Sequence, residues 1–152
     1  AYDDSLRVAG DIVAAVGEQP EHRPRANHND LLPANFLDTG DGIVIVDWEY
    51  AGMGDPFFDL GNFSVNNELD EALEERLLEA YFGEPATPRR VAALKLFRFM
   101  SDFREAMWGV VQTSVSELDF DFQEYATKHF DRLAETASDS RFAAWLEEAR
   151  GA

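Results

Sequence analysis

Between residues 2 and 18, Leu6, Ala9, Ile12, Val13 and Val16 recur at helical spacing and share one apolar face, which predicts an amphipathic helix. EQPEHRPRANHND comes next; its two prolines and alternating charges predict an extended connector. The short β-prone runs NFL and GIVIVDW flank DTGDG, where Asp-Gly favours a tight turn. A small β-hairpin is therefore expected, with Asn35 just before its first strand and Asp47 at the end of its second. Beyond the glycine-rich loop EYAGMGDP the pattern is helical to the end of the chain. FFDLGNFSVNN and LDEALEERLLEAYFG predict two helices, the second closed at Gly83, where glycine relieves left-handed strain. TPRRVAALKLFRFMSDFREAMWGVVQ predicts the longest helix, with Thr87 and Pro88 at its N-cap and first position. Its Ala93, Leu96, Phe97, Met100, Phe103, Met107 and Val111 form a core-facing stripe. DFQEYATKHFDRLAETA and SRFAAWLEEAR complete a chain that is mainly α with a small β-hairpin. No repeat or linker divides residues 1–152, so a single domain is expected.

Composition narrows the function classes. With 152 residues, 45% of them hydrophobic, there is material for one core. Cysteine is absent, which excludes disulfides, a thiolate nucleophile and cysteine-ligated metal. No apolar run approaches the roughly 20 residues that span a bilayer, and AYDDSLRVAG lacks the basic and hydrophobic regions of a secretion leader, so a cytoplasmic location is expected. The formal net charge of −17 repels phosphate backbones and anionic lipid. Neither nucleic acid nor membrane is expected as a partner, whereas a metal ion or a positively charged substrate is favoured. Arginine dominates the basic residues; the lysines are Lys95 and Lys128, both in predicted helices.

The segment NHNDLLPANFL holds polar side chains at the spacing H-x-D-x-x-x-x-N inside an apolar run, a pattern that composition alone gives in roughly one chain in a hundred of this length. Turn capping by Asp30 and Asn35, with Asp47 an ordinary strand-ending residue, is the plain alternative. Pairing the hairpin strands, however, brings Asp30, Asn35 and Asp47 to one edge. Magnesium (Mg2+) takes oxygen ligands and is usually held by one or two protein groups plus substrate phosphates, which Asn35 and Asp47 could supply. Asp30 is then free to face a substrate hydroxyl, orient it and accept its proton late in phosphoryl transfer.

HNDLLPANFL followed by VIVDWEYAGMGDPFFDLGNF resembles the catalytic core of the choline/ethanolamine kinase and aminoglycoside phosphotransferase superfamily, whose fold is similar to the protein kinases. The resemblance implies that Asp30 is the catalytic base and that Asn35 and Asp47 bind magnesium, Asp47 in the part of the protein-kinase D-F-G aspartate. It places Glu49 near the metal, Asp59 as a brace for the loops and His28 as a buttress of the motif loop; histidine as a metal ligand is the other option for His28. MWGVVQTSVSELDFDFQEYATKHF resembles the C-terminal helices of choline kinases, where a tryptophan and a tyrosine wall the choline pocket, and these positions fall on Trp108 and Tyr125. A quaternary ammonium has no N–H to donate and is held by aromatic faces and nearby carboxylates. Packing in the helix core is the alternative for both rings.

Two positions depart from the choline enzymes: Glu105 replaces a further aromatic one turn before the tryptophan, and Asn66 stands where an acidic residue often sits. Glu105 suits an ammonium or polyamine as well as choline, so the expected substrate is a small cationic alcohol, with an aminoglycoside as the alternative. Superfamily kinases cover ATP with a β-rich N-terminal lobe carrying a phosphate loop and a strand lysine, and neither precedes Asn27. The fold expected is thus the C-terminal lobe of a protein-kinase-like fold with the N-terminal ATP-binding lobe absent, inactive by itself. A non-catalytic cation-binding module is the reading from a different class.

Overall fold

A computed structural model describes residues 2–151. Its centre is α4, Pro88–Val115, against which α1 (Tyr2–Val16), α2 (Pro56–Asn66), α3 (Glu71–Phe82), α5 (Phe122–Ser138) and α6 (Phe142–Arg150) all pack. Local chemistry sets the boundaries. Asp55, Asp70, Thr87 and Asp121 accept backbone N–H groups at the starts of α2, α3, α4 and α5, and Gly83 closes α3 at φ +73°. From Ala92 to Phe97 every α4 residue is buried, because neighbours cover the helix on all sides. Lys95 is one of them, and its ammonium pairs with the buried carboxylate of Glu74, to which Ser64 donates at 2.7 Å.

The hairpin is β2, Phe36–Asp38, antiparallel to β3, Ile43–Ile45, with Leu37 opposite Val44. A second antiparallel pair joins β1, Arg25–Asn27, to β4, Gly52–Gly54, in segments read from sequence as connector and loop. Neither RAN nor GMG is β-prone; side-chain bonds hold them. The Asn27 amide donates to the carbonyl of Asp55 at 2.6 Å, and the Asp55 carboxylate contacts Nδ1 of buried His22 at 2.6 Å.

Three residues of the predicted apolar stripes face solvent. Leu6 and Val13 on α1 are exposed, the buried side being Ser5, Ala9, Ile12, Ala15 and Val16, and Val111 near the end of α4 is 55% exposed. Ala9, Ile12 and Val16 of the predicted face of α1 are buried as expected, while at its edges the small residues Ser5 and Ala15 are buried in place of Leu6 and Val13. Gly61 marks the tightest approach in the molecule's centre: a Cβ there would lie 2.6 Å from the backbone of Phe97. Among the described residues no helix is long and apolar enough to cross a membrane.

Candidate active site

The motif loop is held from beneath by the first two turns of α2. Asp59 accepts the backbone N–H groups of His28 and Asn29 at 2.7 and 2.8 Å, and Asn62 accepts that of Leu31 at 2.5 Å while donating to the Ser101 hydroxyl of α4 at 3.0 Å. Asn29 adopts φ +66°, an uncommon conformation that asparagine tolerates, and its amide donates to the carbonyl of Tyr50 at 2.9 Å. Both nitrogens of buried His28 are engaged: Nε2 donates to the Val46 carbonyl at 2.8 Å and Nδ1 accepts the N–H of Asp30 at 3.2 Å. These partners assign the neutral Nε2–H tautomer and leave no lone pair for a metal.

Asp30 is thereby set in a fixed loop with its carboxylate half-buried. The Asn35 amide donates to its carbonyl at 2.8 Å and to its Oδ2 at 3.3 Å, and Arg104 reaches Oδ1 at 3.4 Å. Burial pushes the Asp30 carboxyl above the usual carboxylate value; Arg104 opposes this and Glu105 adds to it. Because Asn35 directs its N–H atoms at Asp30, its Oδ1 is the atom it can offer a cation. The N–H of Val46 donates to the Asn35 carbonyl at 3.0 Å, so the chain delivers exposed Asp47, at φ +66°, to the same edge. No group of three His, Cys, Asp or Glu residues able to hold a metal occurs among the described residues. The Asn35 amide oxygen and the Asp47 carboxylate, with Glu49 two residues further on, are a hard and incomplete set that fits magnesium completed by phosphate oxygens.

A cavity of about 200 Å³ opens beside Asp30, lined by Asp30, Leu32, Glu49, Tyr50, Arg104, Glu105, Trp108 and Tyr125. Trp108 of α4 and Tyr125 of α5 meet edge to face, with centroids 5.5 Å apart and planes at 69°, forming a corner of two aromatic walls. Buried Glu105 lies at the base of that corner, where the Tyr125 hydroxyl donates to its Oε2 at 2.7 Å. Burial, and then the charge of Glu105, push the Tyr125 phenol up, so it stays a donor. The close approach of Gly109 to Ala126 lets α4 and α5 build this corner.

Of the residues singled out from sequence, Asp30, Glu49, Glu105, Trp108 and Tyr125 line one cavity, and Asn35 touches Asp30. Glu49 thus lies in the substrate-side wall, while Asn35 and Asp47 are outside the lining. Asn66 lies elsewhere, its Oδ1 facing Arg132, which clamps the buried carboxylate of Asp102 beside His129. Arg104, Tyr50 and Asn62 were not singled out. No sequence signal set Arg104 apart from the other charged residues of α4, such as Lys95, Arg98 and Asp102.

The phosphotransferase enzyme family (APH) matches residues 2–94, more than half of the chain, and the chain belongs to that family. It is 33% identical over 113 residues to protein LicA of Haemophilus influenzae, covering 70% of this chain and 41% of LicA. It is 38% identical over 125 residues to ethanolamine kinase 2 of Rattus norvegicus, covering 69% of this chain and 32% of the kinase. The crystal structure of a choline/ethanolamine kinase family protein from Mesorhizobium loti superimposes with a TM-score of 0.89 at 36% identity, covering 99% of this chain and 51% of that one. The fold is that of the C-terminal lobe of these kinase-like proteins, and the chain spans between 32% and 51% of the length of these relatives.

Proposed function

We propose that this chain is the substrate-binding lobe of a small-molecule kinase that transfers the γ-phosphoryl group of ATP to the hydroxyl of choline, ethanolamine or a related amino alcohol. The observation that carries this reading is the cavity in which a fixed carboxylate, Asp30, shares one wall system with a second carboxylate, Glu105, and the aromatic corner of Trp108 and Tyr125. The alcohol O–H donates to Asp30. As the hydroxyl oxygen bonds to phosphorus and ADP departs, that proton passes to the carboxylate, whose raised proton affinity suits a late acceptor. The cationic end of the substrate lies toward Glu105 and the aromatic faces, where each cation–π contact is worth roughly 0.5 to 2 kcal/mol.

Asn35 through Oδ1 and Asp47 through its carboxylate are the residues that would hold magnesium, which when bound neutralises charge on the transferred phosphates. Glu49, two residues past Asp47 and in the cavity wall, adds negative potential there and is a further oxygen donor for the metal. A cavity of about 200 Å³ favours a compact amino alcohol over an aminoglycoside, since drug-sized ligands occupy pockets of roughly 300 to 1,000 Å³. A nucleotide-binding half would complete such a kinase, in keeping with the chain's covering 41% of LicA and 51% of the Mesorhizobium loti protein. In support, Leu37, Ile43, Val44 and Met53 expose apolar side chains around the hairpin and β4, a face suited to being covered.

The test is phosphoryl transfer from ATP to ethanolamine and choline, followed by 31P NMR, in a polypeptide that joins this lobe to a nucleotide-binding half. Product should form there, fall by about 10²-fold or more with Asp30→Asn, and be absent with the 152 residues alone. Full turnover by the Asp30→Asn variant would sink the assignment of the base.

A further inference from the structure

Arg104 already places a positive charge where the proposed substrate would place its own. One nitrogen, Nη2, touches both Glu105 and, at 3.4 Å, Asp30, while Nε is buried without a hydrogen-bond partner. This is an incomplete clamp. Arg132, in the same helical layer, shows the complete one: its Nε and Nη2 both bond the Asp102 carboxylate, the fork geometry that makes arginine pairs strong. The Arg104 side chain also has room to withdraw: it borders a second cavity of about 440 Å³, lined as well by Tyr50 and Phe58, whose ring centroids its guanidinium already faces at 5.7 and 5.6 Å. Arg104 and Tyr50 line both cavities and form the partition between them.

We propose that Arg104 is a tethered counter-cation that occupies the charged end of the substrate cavity and must leave Asp30 and Glu105 for a cationic alcohol to enter, so that it sets both the affinity and the charge selectivity of the site. The proposal rests on reading this cavity as the substrate site. Without a guanidinium, Asp30, Glu49 and Glu105 face one small space, and their mutual repulsion opposes an empty, fully ionised pocket. A neutral alcohol that pushed Arg104 aside would leave those carboxylates unpaired; an amino alcohol brings the replacement charge with it. The guanidinium, released from the carboxylates, keeps the Tyr50 and Phe58 rings it already faces. Selectivity arises by exchange of one cation for another, and the competitor lowers the apparent affinity for every ligand by the fraction of time it holds the site.

The experiment is calorimetric titration of the chain and its Arg104→Gln and Arg104→Lys variants with ethanolamine, choline, 1,2-propanediol and free guanidinium at millimolar concentration, each variant first checked for wild-type thermal unfolding. Arg104→Gln should bind the amino alcohols about tenfold more tightly than wild type, as expected when a competing state is removed. Arg104→Lys, which keeps the charge, should stay near wild type. Free guanidinium should bind Arg104→Gln, compete there with ethanolamine and not bind wild type. Equal or weaker amino-alcohol binding by Arg104→Gln, or no guanidinium binding by it, overturns the proposal and leaves Arg104 a wall residue. Guanidinium binding to Arg104→Gln without amino-alcohol binding to any form upholds the tethered cation and overturns the substrate reading instead. Tighter binding of the neutral diol by Arg104→Gln, matching that of ethanolamine, contradicts the charge selectivity.

Discussion

His28 donates from Nε2 to the Val46 carbonyl at 2.8 Å while its Nδ1 accepts the N–H of Asp30, so one imidazole fastens the loop that carries Asp30 to the strand end that presents Asp47. The ring is buried and Val46 half-buried, and removing the ring leaves the Val46 carbonyl without its partner. His28→Ala should lower stability by about 1 to 3 kcal/mol, the usual range for a buried polar group left unpaired. Urea unfolding measures this, and an unchanged midpoint would show that water replaces the ring at no cost.

Asp59 supplies one carboxylate to two loop N–H groups, and alanine there orphans both at once. Asp59→Ala should therefore destabilise by about 2 to 4 kcal/mol, more than His28→Ala. Amide hydrogen exchange locates the effect: the N–H groups of His28 and Asn29 should lose protection ahead of the rest of the loop.

Burial raises the Asp30 carboxyl above its ordinary value of 3.8, so the folded chain holds that proton more tightly than the unfolded chain does. Stability from this group is present at low pH and is lost as pH rises through the interval between 3.8 and the higher folded value. Ionised Asp30 is thus a net cost at neutral pH. Without metal or ligand, Asp30→Asn should melt above wild type at pH 7, and the gap should narrow toward pH 4, a trade of stability for function that melting curves at the two pH values would reveal.

Two glycines make a graded test of how α4 is approached. At Gly61 a Cβ meets the backbone of Phe97 at 2.6 Å, whereas at Gly109 it meets Ala126 Cβ, the Tyr125 ring and Ala126 Cα at 3.0, 3.1 and 3.2 Å. The first overlap requires a backbone shift, the second a displacement of a few tenths of an ångström. Gly61→Ala should cost about 2 to 3 kcal/mol and Gly109→Ala about 1, the latter with a shifted Tyr125 ring and weaker amino-alcohol binding. Chemical denaturation ranks the two variants, and the reverse order would contradict the packing described.

Much of this was legible in sequence because it is encoded locally. Thr87-Pro88 and Gly83 mark helix ends by the hydrogen-bonding needs of the helix backbone, DTGDG turns a hairpin, and the motif His28, Asp30, Asn35 is fixed by spacing. The β1–β4 pair was not legible, since RAN and GMG have no strand character and are brought together by Asn27, Asp55 and the returning chain. Nor was the place of Arg104. On a helix that also carries Lys95, Arg98 and Asp102, Arg104 reads as one more polar position, and only the crossing of α4 over a loop some 70 positions earlier makes it part of the cavity. The exposure of Leu6, Val13 and Val111 has the same origin: periodicity gives a repeat, while which side is covered depends on the neighbours.

The central claim is that Asp30, Glu105, Trp108 and Tyr125 form one cavity for a compact cationic alcohol. Its most direct measurement is isothermal titration of the chain with ethanolamine, choline and kanamycin beside the Trp108→Ala and Tyr125→Ala variants. The account predicts that an amino alcohol binds, that each variant weakens it by about tenfold, as expected for loss of a desolvated cation–π wall and its neighbours, and that kanamycin does not compete. Binding of kanamycin alone, or amino-alcohol binding that both variants leave unchanged, would contradict it.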